Sequence, residues 1–222
     1  MLNTENKMQK RSEKNLLLTV ATLFIVLFLL TLAIFITIWS VPIYSQVVDK
    51  LNLSDAVNLP KDTILENYKV LLKYLSDPNI KELNMPDFPS SASGAFHFYE
   101  VKKLFILDYA LMLISGIVSL VYILNLKKYK LLYKFKNIFR VLVFLPLVIL
   151  LLVAFFFDKV FYYFHKLFFN NDAWLFNPQT DPIILVLPQE FFMVCFLEAF
   201  ILLELGLILF YFLGRKYYKK RA

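Results

Sequence analysis

The chain has 222 residues, of which 59% are hydrophobic and 18% aromatic, a composition too apolar for an ordinary water-soluble domain. Its 24 Lys and Arg residues outnumber 17 Asp and Glu residues, which gives a formal net charge of +7. The single cysteine, Cys195, excludes an intrachain disulfide, and the four glycines form no phosphate-binding motif, so we predict an integral membrane protein that does not bind nucleotides.

Four apolar stretches are long enough to cross a hydrocarbon core of about 30 Å, which takes roughly 20 helical residues. They lie at about 16–39, 104–126, 138–157 and 191–213. The first is too long for a cleavable signal peptide and does not end in small residues, so we expect it to remain as an anchor. The predicted fold is all-α, with four transmembrane helices in a single transmembrane domain over residues 1–222.

Basic residues are concentrated at three places beside the predicted spans, namely the amino-terminal tail, the connection 127–140 and the carboxy-terminal tail 215–222. Together these places hold fifteen of the 24 Lys and Arg residues. Cytoplasmic loops of membrane proteins carry such an excess, which places both termini in the cytoplasm and, beside apolar spans, indicates contacts with anionic lipids and not with nucleic acid. The segments at about 44–103 and 158–190 then face outward.

Each outer segment shows signs of structure at the membrane boundary. Apolar residues recur at helical spacing within 60–77, which predicts an amphipathic helix lying flat on the outer leaflet, and Thr63 and Glu66 have the spacing of a capping box. The apolar run 183–187 is too short to span and should dip into the leaflet or pack against the bundle. We therefore expect the two extracytoplasmic segments to form an interfacial cap.

The only two histidines, His97 and His165, both fall in these outer segments, at the depth of the lipid headgroups. An imidazole has an ordinary pKa of about 6.5, so it can accept and return a proton at neutral pH. The stretch FYYFHKLFF surrounds His165 with aromatic residues, which predicts partial desolvation. Either histidine alone is typical of an aromatic belt, but the pair favours a catalytic site.

Three acidic residues lie within the predicted spans, where an ionisable side chain is costly and by default marks a functional site. Asp108 is nearest the outer end and is the best placed to reach the histidines. Glu204 is expected to join a structural polar network, and the role of Glu198 stays open. A metal site has weak support, because two isolated histidines lack the usual ligand spacing. We expect no metal and no cofactor.

The stretch FHFYEVKKLF before one predicted span and the stretch FHKLFFNNDAWLFNPQTDPIILVLPQEFF after the next resemble the bacterial lipoprotein intramolecular transacylase family. The arrangement is similar over essentially the whole chain. The resemblance implies an acyltransferase of the bacterial cell membrane whose substrate is the diacylated amino terminus of a lipoprotein. It moves an acyl chain from the glyceryl ester of the S-diacylglyceryl cysteine to the free α-amine, giving an N-acyl lyso-form lipoprotein. The family's two histidines map onto His97 and His165.

In that chemistry His165 is predicted to be the general base for the amine and then the acid for the departing glyceryl oxygen. His97 would orient the substrate, share the proton or donate a hydrogen bond to the oxyanion. Tyr162 is a further candidate donor. Three carboxylates are candidates for orienting an imidazole: Asp172, Asp181 and Asp108.

Two other classes of function stay open. One is a non-catalytic membrane scaffold or accessory subunit, whose histidines only line an interface. The other is a metal-assisted membrane lipid hydrolase that uses both histidines with carboxylates. The sequence does not decide the oligomeric state.

Overall fold

The computed structural model describes residues 2–220, with the side chains of residues 9–220. The side chain of Lys7 and the whole of Arg221, both counted in the predicted cytoplasmic flanks, lie outside the described residues. All regular structure within 2–220 is helical. The α-helices are α1 (Leu2–Ile38), α2 (Val41–Lys50), α3 (Leu53–Val57), α4 (Lys61–Ser76), α5 (Ala92–Lys128), α6 (Phe135–Leu142), α7 (Phe144–Phe155), α8 (Phe157–Phe168) and α9 (Gln189–Lys219).

Four helical stretches are long and apolar enough to cross a membrane, which confirms the four predicted spans. They are Gln9–Ile38, Ala92–Lys128, Leu132–Phe155 and Gln189–Lys219. The third combines a short 3-10 helix with α6 and α7. At 1.5 Å per residue, the 37 residues of α5 extend for about 55 Å, well beyond a hydrocarbon core of about 30 Å. The helices are therefore longer than the apolar stretches that predicted them.

The helix predicted within 60–77 is present as α4, but its predicted capping box is wrong. The helix begins at Lys61 after Pro60, and no side chain caps its first turn. Thr63 consequently lies inside the helix, where its carbonyl accepts a hydrogen bond of 2.9 Å from Asn67 Nδ2. One face of α4 is buried through seven residues: Ile64, Asn67, Tyr68, Leu71, Leu72, Tyr74 and Leu75.

The contacts divide the chain into two compact units, and the described part of the first comprises residues 2–33, 110–149 and 200–220. Its core is built on fully buried side chains such as Ile25, Phe135 and Phe139. A Cβ atom at Gly214 would lie 2.1 Å from the backbone nitrogen of Lys136. Glycine at this position therefore lets α9 pass directly against the start of α6.

The second unit comprises Ile34–Tyr109 and Leu150–Ala199 and contains both histidines. Its core surrounds Tyr44, whose hydroxyl donates a 2.8 Å hydrogen bond to the Val186 carbonyl and whose ring centroid lies 3.9 Å from that of Tyr68. The short apolar run after Asp181 forms a 3-10 helix at Pro182–Leu185 and buries Ile183 in this core. The run thus packs against the protein, one of the two outcomes expected for it.

Candidate active site

The two histidines lie on different helices but face each other. His97 is in the second turn of α5, and His165 is in the last turn of α8. Their ring centroids are 5.8 Å apart, with an angle of 35° between the ring planes. His97 is 5% exposed and His165 is half-buried. A single small substrate group can therefore contact both imidazoles.

Aromatic rings enclose the pair, and three of them come from the loop that follows α8. Phe169 packs edge-on against His97, with centroids 4.7 Å apart, and Phe176 lies 5.5 Å from the same ring. Trp174 stacks on His165 at 4.6 Å and 27°. These rings shield His97 from water and His165 in part, which strengthens any electrostatic interaction made inside the enclosure.

The tautomer of His165 follows from its own helix. The Nδ1 atom lies 2.7 Å from the backbone carbonyl oxygen of Phe161, one turn earlier. A carbonyl can only accept, so Nδ1 carries the proton and the Nε2 lone pair is left free to take another. Burial lowers the pKa of the His165 imidazole, and the hydrogen bond to Phe161 partly offsets that effect. A neutral ring with a free Nε2 is the form that a general base requires.

His97 differs, because its buried Nδ1 atom has no hydrogen-bond partner. An unpartnered buried polar atom is costly and is rare in folded proteins. The indole Nε1 of Trp174 is buried and unpartnered in the same way. Two polar atoms in one aromatic enclosure thus have no hydrogen-bond partner among the described residues.

Two of the three carboxylates proposed to orient an imidazole make other contacts within the described residues. Asp172 pairs with Lys166 at the surface. Asp181, 3% exposed, accepts hydrogen bonds of 2.7 Å from the Ser91 amide and the Thr180 hydroxyl, so it holds the chain that enters α5.

Asp108 lies on the helix that carries His97, eleven residues further on, which is about 16 Å along the axis. It is buried, and its Oδ2 atom has no partner. That separation is too large for a direct hydrogen bond between the two side chains.

Tyr162, the predicted oxyanion donor, is 46% exposed and packs edge-on against Trp174 with ring centroids 5.8 Å apart. Among the described residues its ring contacts are with Trp174 and Tyr163, and not with either imidazole. Two further acidic residues lie on α9. Glu198 accepts a hydrogen bond from the Ser40 hydroxyl, whereas the Oε2 atoms of Glu198 and Glu204 have no hydrogen-bond partner among the described residues. The Oε2 atom of Glu204 therefore makes no hydrogen bond of the kind that the predicted structural polar network requires.

Sequence reasoning missed a hydrogen bond that fastens the loop carrying Trp174 to the helix carrying His97. Asn171 Nδ2 donates to Glu100 Oε2 at 2.9 Å, and its Oδ1 accepts from the Ala173 amide at 2.9 Å. The turn-forming NND triplet signals a loop. Nothing in the sequence signals its partner, which lies 71 residues away.

The described side chains contain no group of three or more His, Cys, Asp or Glu residues placed to hold a metal ion. The half-buried Cys195 is a free thiol on α9. The site therefore consists of two imidazoles, an indole and apolar rings.

A sequence model of the family described as lipoprotein intramolecular transacylase Lit matches residues 19–192. Three solved structures of the membrane integral lipoprotein intramolecular transacylase Lit from Bacillus cereus are similar to this chain. The first has 32% sequence identity and a TM-score of 0.87, and the alignment covers 95% of this chain and 98% of that one. The second and third carry a histidine substituted by arginine or by alanine, with TM-scores of 0.87 and 0.86, 31% identity, and coverage of 99% and 97% of this chain. No curated protein sequence gave a significant match.

Proposed function

The chain belongs to the lipoprotein intramolecular transacylase Lit family, and from that premise we propose how its two histidines carry out the acyl transfer. It is a multi-pass membrane protein and an acyltransferase, which confirms the resemblance identified in its sequence. One observation carries it, the 5.8 Å separation of the His97 and His165 rings inside an apolar enclosure.

The proposed reaction is an O-to-N acyl shift within one lipoprotein molecule. The α-amine of its S-diacylglyceryl cysteine attacks the carbonyl carbon of a glyceryl ester. A C–N bond forms, the C–O bond to glycerol breaks, and the products are an amide and a free glyceryl hydroxyl on the same molecule. Atoms and charge balance without water, nucleotide or a second acyl donor. We propose that the substrate is therefore the diacylated amino terminus itself.

His165 is the proposed base. As the amine attacks, its proton moves to the free Nε2 atom, since Nδ1 is already bonded to the Phe161 carbonyl. The resulting imidazolium then returns that proton to the departing glyceryl oxygen, so His165 ends the reaction in its starting form. His97, whose Nδ1 is buried and unpartnered, contacts the substrate from the other side and orients the ester.

Much of the rate enhancement in this proposal comes from holding one molecule in a folded conformation. Well-oriented intramolecular reactions gain on the order of 7–11 kcal/mol from prepaid positional entropy. The two rings define where the amine and the ester must meet. The exposed apolar residues beside them, such as Leu167 and Leu175, leave the acyl chains in contact with lipid.

The proposed orientation places both termini in the cytoplasm and the histidines at the outer leaflet. It rests on the excess of Lys and Arg at the tails and in the 127–140 connection. Lipoprotein substrates anchored in the outer leaflet would then present the glyceryl ester at the depth of the imidazoles. Cysteine accessibility at Ser93 and Lys127, each replaced by cysteine in a Cys195→Ala background, tests this assignment: only the cysteine at 93 should react with an external membrane-impermeant reagent.

The decisive experiment uses the purified protein with a synthetic diacylated lipopeptide. An intramolecular shift leaves the mass of the lipopeptide unchanged, while the free amine disappears and the fragment ions carry an N-acyl group. A lipid hydrolase would instead lower the mass by one acyl chain, with chelator sensitivity if a metal takes part. A scaffold would leave the lipopeptide unaltered.

Replacement of His165 by glutamine should abolish the shift while the protein still folds. Lys159→Gln on the same helix is the matched control, because Lys159 is exposed and does not contact either imidazole ring. Retained activity in His165→Gln would rule out the proposed base.

A further inference from the structure

We propose that the indole N–H of Trp174 is the hydrogen-bond donor that stabilises the oxyanion formed when the amine attacks the ester. This inference rests on the proposed acyl shift and adds to it a residue whose sequence position gave no indication of such a role. It assigns the oxyanion to a side chain in the loop after α8, and not to Tyr162.

The first support is the environment of the N–H group. Trp174 is only 9% exposed, and its Nε1 atom is buried without a hydrogen-bond partner. An indole nitrogen can only donate, so no proton rearrangement within the protein can satisfy it. Buried tryptophan normally finds an acceptor for its N–H. An oxygen atom of the substrate is the group that can supply it.

The second support is position. The Trp174 ring stacks on His165, with centroids 4.6 Å apart and an angle of 27°. Because the indole stacks on the base, we infer that its N–H lies beside the reacting carbonyl when the amine contacts that base. Negative charge develops on the carbonyl oxygen as the amine nitrogen bonds to the carbonyl carbon. A hydrogen-bond donor held at that oxygen therefore stabilises the transition state more than it stabilises the ester.

The third support is rigidity, since a donor acts on an oxyanion without reorganisation only if it is held in place. Three residues before Trp174, Asn171 is bonded to Glu100 on α5, one turn after His97. The Leu175 amide donates to the Asp172 carbonyl at 3.1 Å, which closes the turn around the indole. The loop is thus fixed to the helix that carries the second histidine.

The other donors near the site fit this role less well. Tyr162 is 46% exposed, and among the described residues its ring contacts Trp174 and Tyr163 and not an imidazole. The Nδ1 atom of His97 can be donor or acceptor, depending on the tautomer, and contacts the substrate in either form. Only Trp174 combines an obligatory donor, burial and direct stacking on the proposed base.

The test replaces Trp174 by phenylalanine, which keeps an aromatic ring against His165 and removes the N–H. We expect kcat to fall by about 10²- to 10³-fold, the usual cost of losing one oxyanion donor, with KM little changed. Trp39→Phe is the matched control, because Trp39 is the other tryptophan of the chain and is 45% exposed. Tyr162→Phe should also retain most activity.

Two outcomes would overturn the inference: a kcat for Trp174→Phe within about threefold of wild type, or a rise in KM with kcat unchanged, which would mean simple substrate binding. The proposed function itself is tested separately by the wild-type protein. If the wild type shifts the acyl chain and Trp174→Phe does so equally well, only the assignment of the donor fails.

A second measurement does not depend on any variant folding. With ¹⁵N-labelled tryptophan, the protein has two indole N–H resonances, one from each tryptophan. A lipopeptide whose ester carbonyl is replaced by a tetrahedral phosphonate should move the Trp174 resonance downfield and leave that of Trp39 in place. A Trp174 resonance that does not move when the phosphonate inhibits the enzyme would refute the assignment.

Discussion

Replacement of Asn171 by alanine should slow the acyl shift without unfolding the protein. The change deletes the hydrogen bond from Asn171 Nδ2 to Glu100 Oε2 and the one from the Ala173 amide to Asn171 Oδ1. The loop that carries Trp174 then loses its hydrogen bond to Glu100 on α5. The deleted bonds lie outside the core of the second unit, so the thermal midpoint should change little.

The magnitude follows from the bond to the carboxylate. A hydrogen bond to a charged group contributes about 1.5–3 kcal/mol, and the lower part of that range applies because this bond is only partly buried. If the correctly placed conformation of the loop loses about 1.5–2 kcal/mol of stabilisation, kcat/KM falls by roughly 10- to 30-fold, since 1.36 kcal/mol corresponds to a factor of ten. Glu100→Gln keeps an acceptor but not the charge, so its effect should be smaller.

The assay is the initial rate of N-acyl lipopeptide formation by the reconstituted protein, measured by fragmentation mass spectrometry. Lys166→Gln provides the control, since it breaks a different contact of the same loop, an exposed ion pair with Asp172. Such pairs contribute little, so this variant should stay close to the wild-type rate. The reasoning would be refuted by an Asn171→Ala rate within twofold of wild type, or by an equal loss in Lys166→Gln.

Three further predictions concern stability. Tyr44→Phe removes the donor to the buried Val186 carbonyl and should cost about 1–3 kcal/mol, seen as a lower thermal midpoint; an unchanged midpoint would contradict the assigned hydrogen bond. Acidification below about pH 6.5 should lower the thermal midpoint, because burial lowers the pKa of folded His165, so the unfolded chain binds more protons as pH falls through that window. The loss should be smaller in His165→Gln, and an equal loss in both proteins would show that His165 is not its source. Gly94→Ala places a Cβ atom 2.1 Å from Asp181 Oδ1 and should destabilise the start of α5. The thermal midpoint and the rate of the acyl shift should both fall. Wild-type values for both would mean that the carboxylate moves aside at no cost in free energy.

The spans were predictable because hydrocarbon thickness imposes a minimum length of apolar sequence. Their full extent was not, since a helix continues past the membrane wherever its backbone and caps permit. Hydropathy indicated a span from 104, whereas α5 begins at Ala92. The twelve additional residues include His97. Just before them, the Ser91 amide donates a hydrogen bond to Asp181, which lies 90 residues later in the chain. A contact at that sequence distance leaves no local pattern.

The candidate site was predictable in its residue types and in their common depth, which follow from the topology of the spans. The contact between the His97 and His165 rings depends on how α5 packs beside α8, and periodicity does not determine this packing. The group that orients His165 could have been found, because Phe161 lies four residues earlier, where a helical carbonyl is within reach of a side chain. The group that holds the ring is a backbone carbonyl and not a carboxylate.

That backbone acceptor also determines how robust the site is to change. A side-chain partner can be removed by a single substitution, whereas the Phe161 carbonyl persists whatever residue occupies position 161, provided that α8 remains helical. The helical backbone of α8 alone therefore places the proton on Nδ1 of His165. Neighbouring side chains are consequently not needed to place this proton, whereas a proline in the interior of the short helix α8 would distort the backbone on which the placement depends.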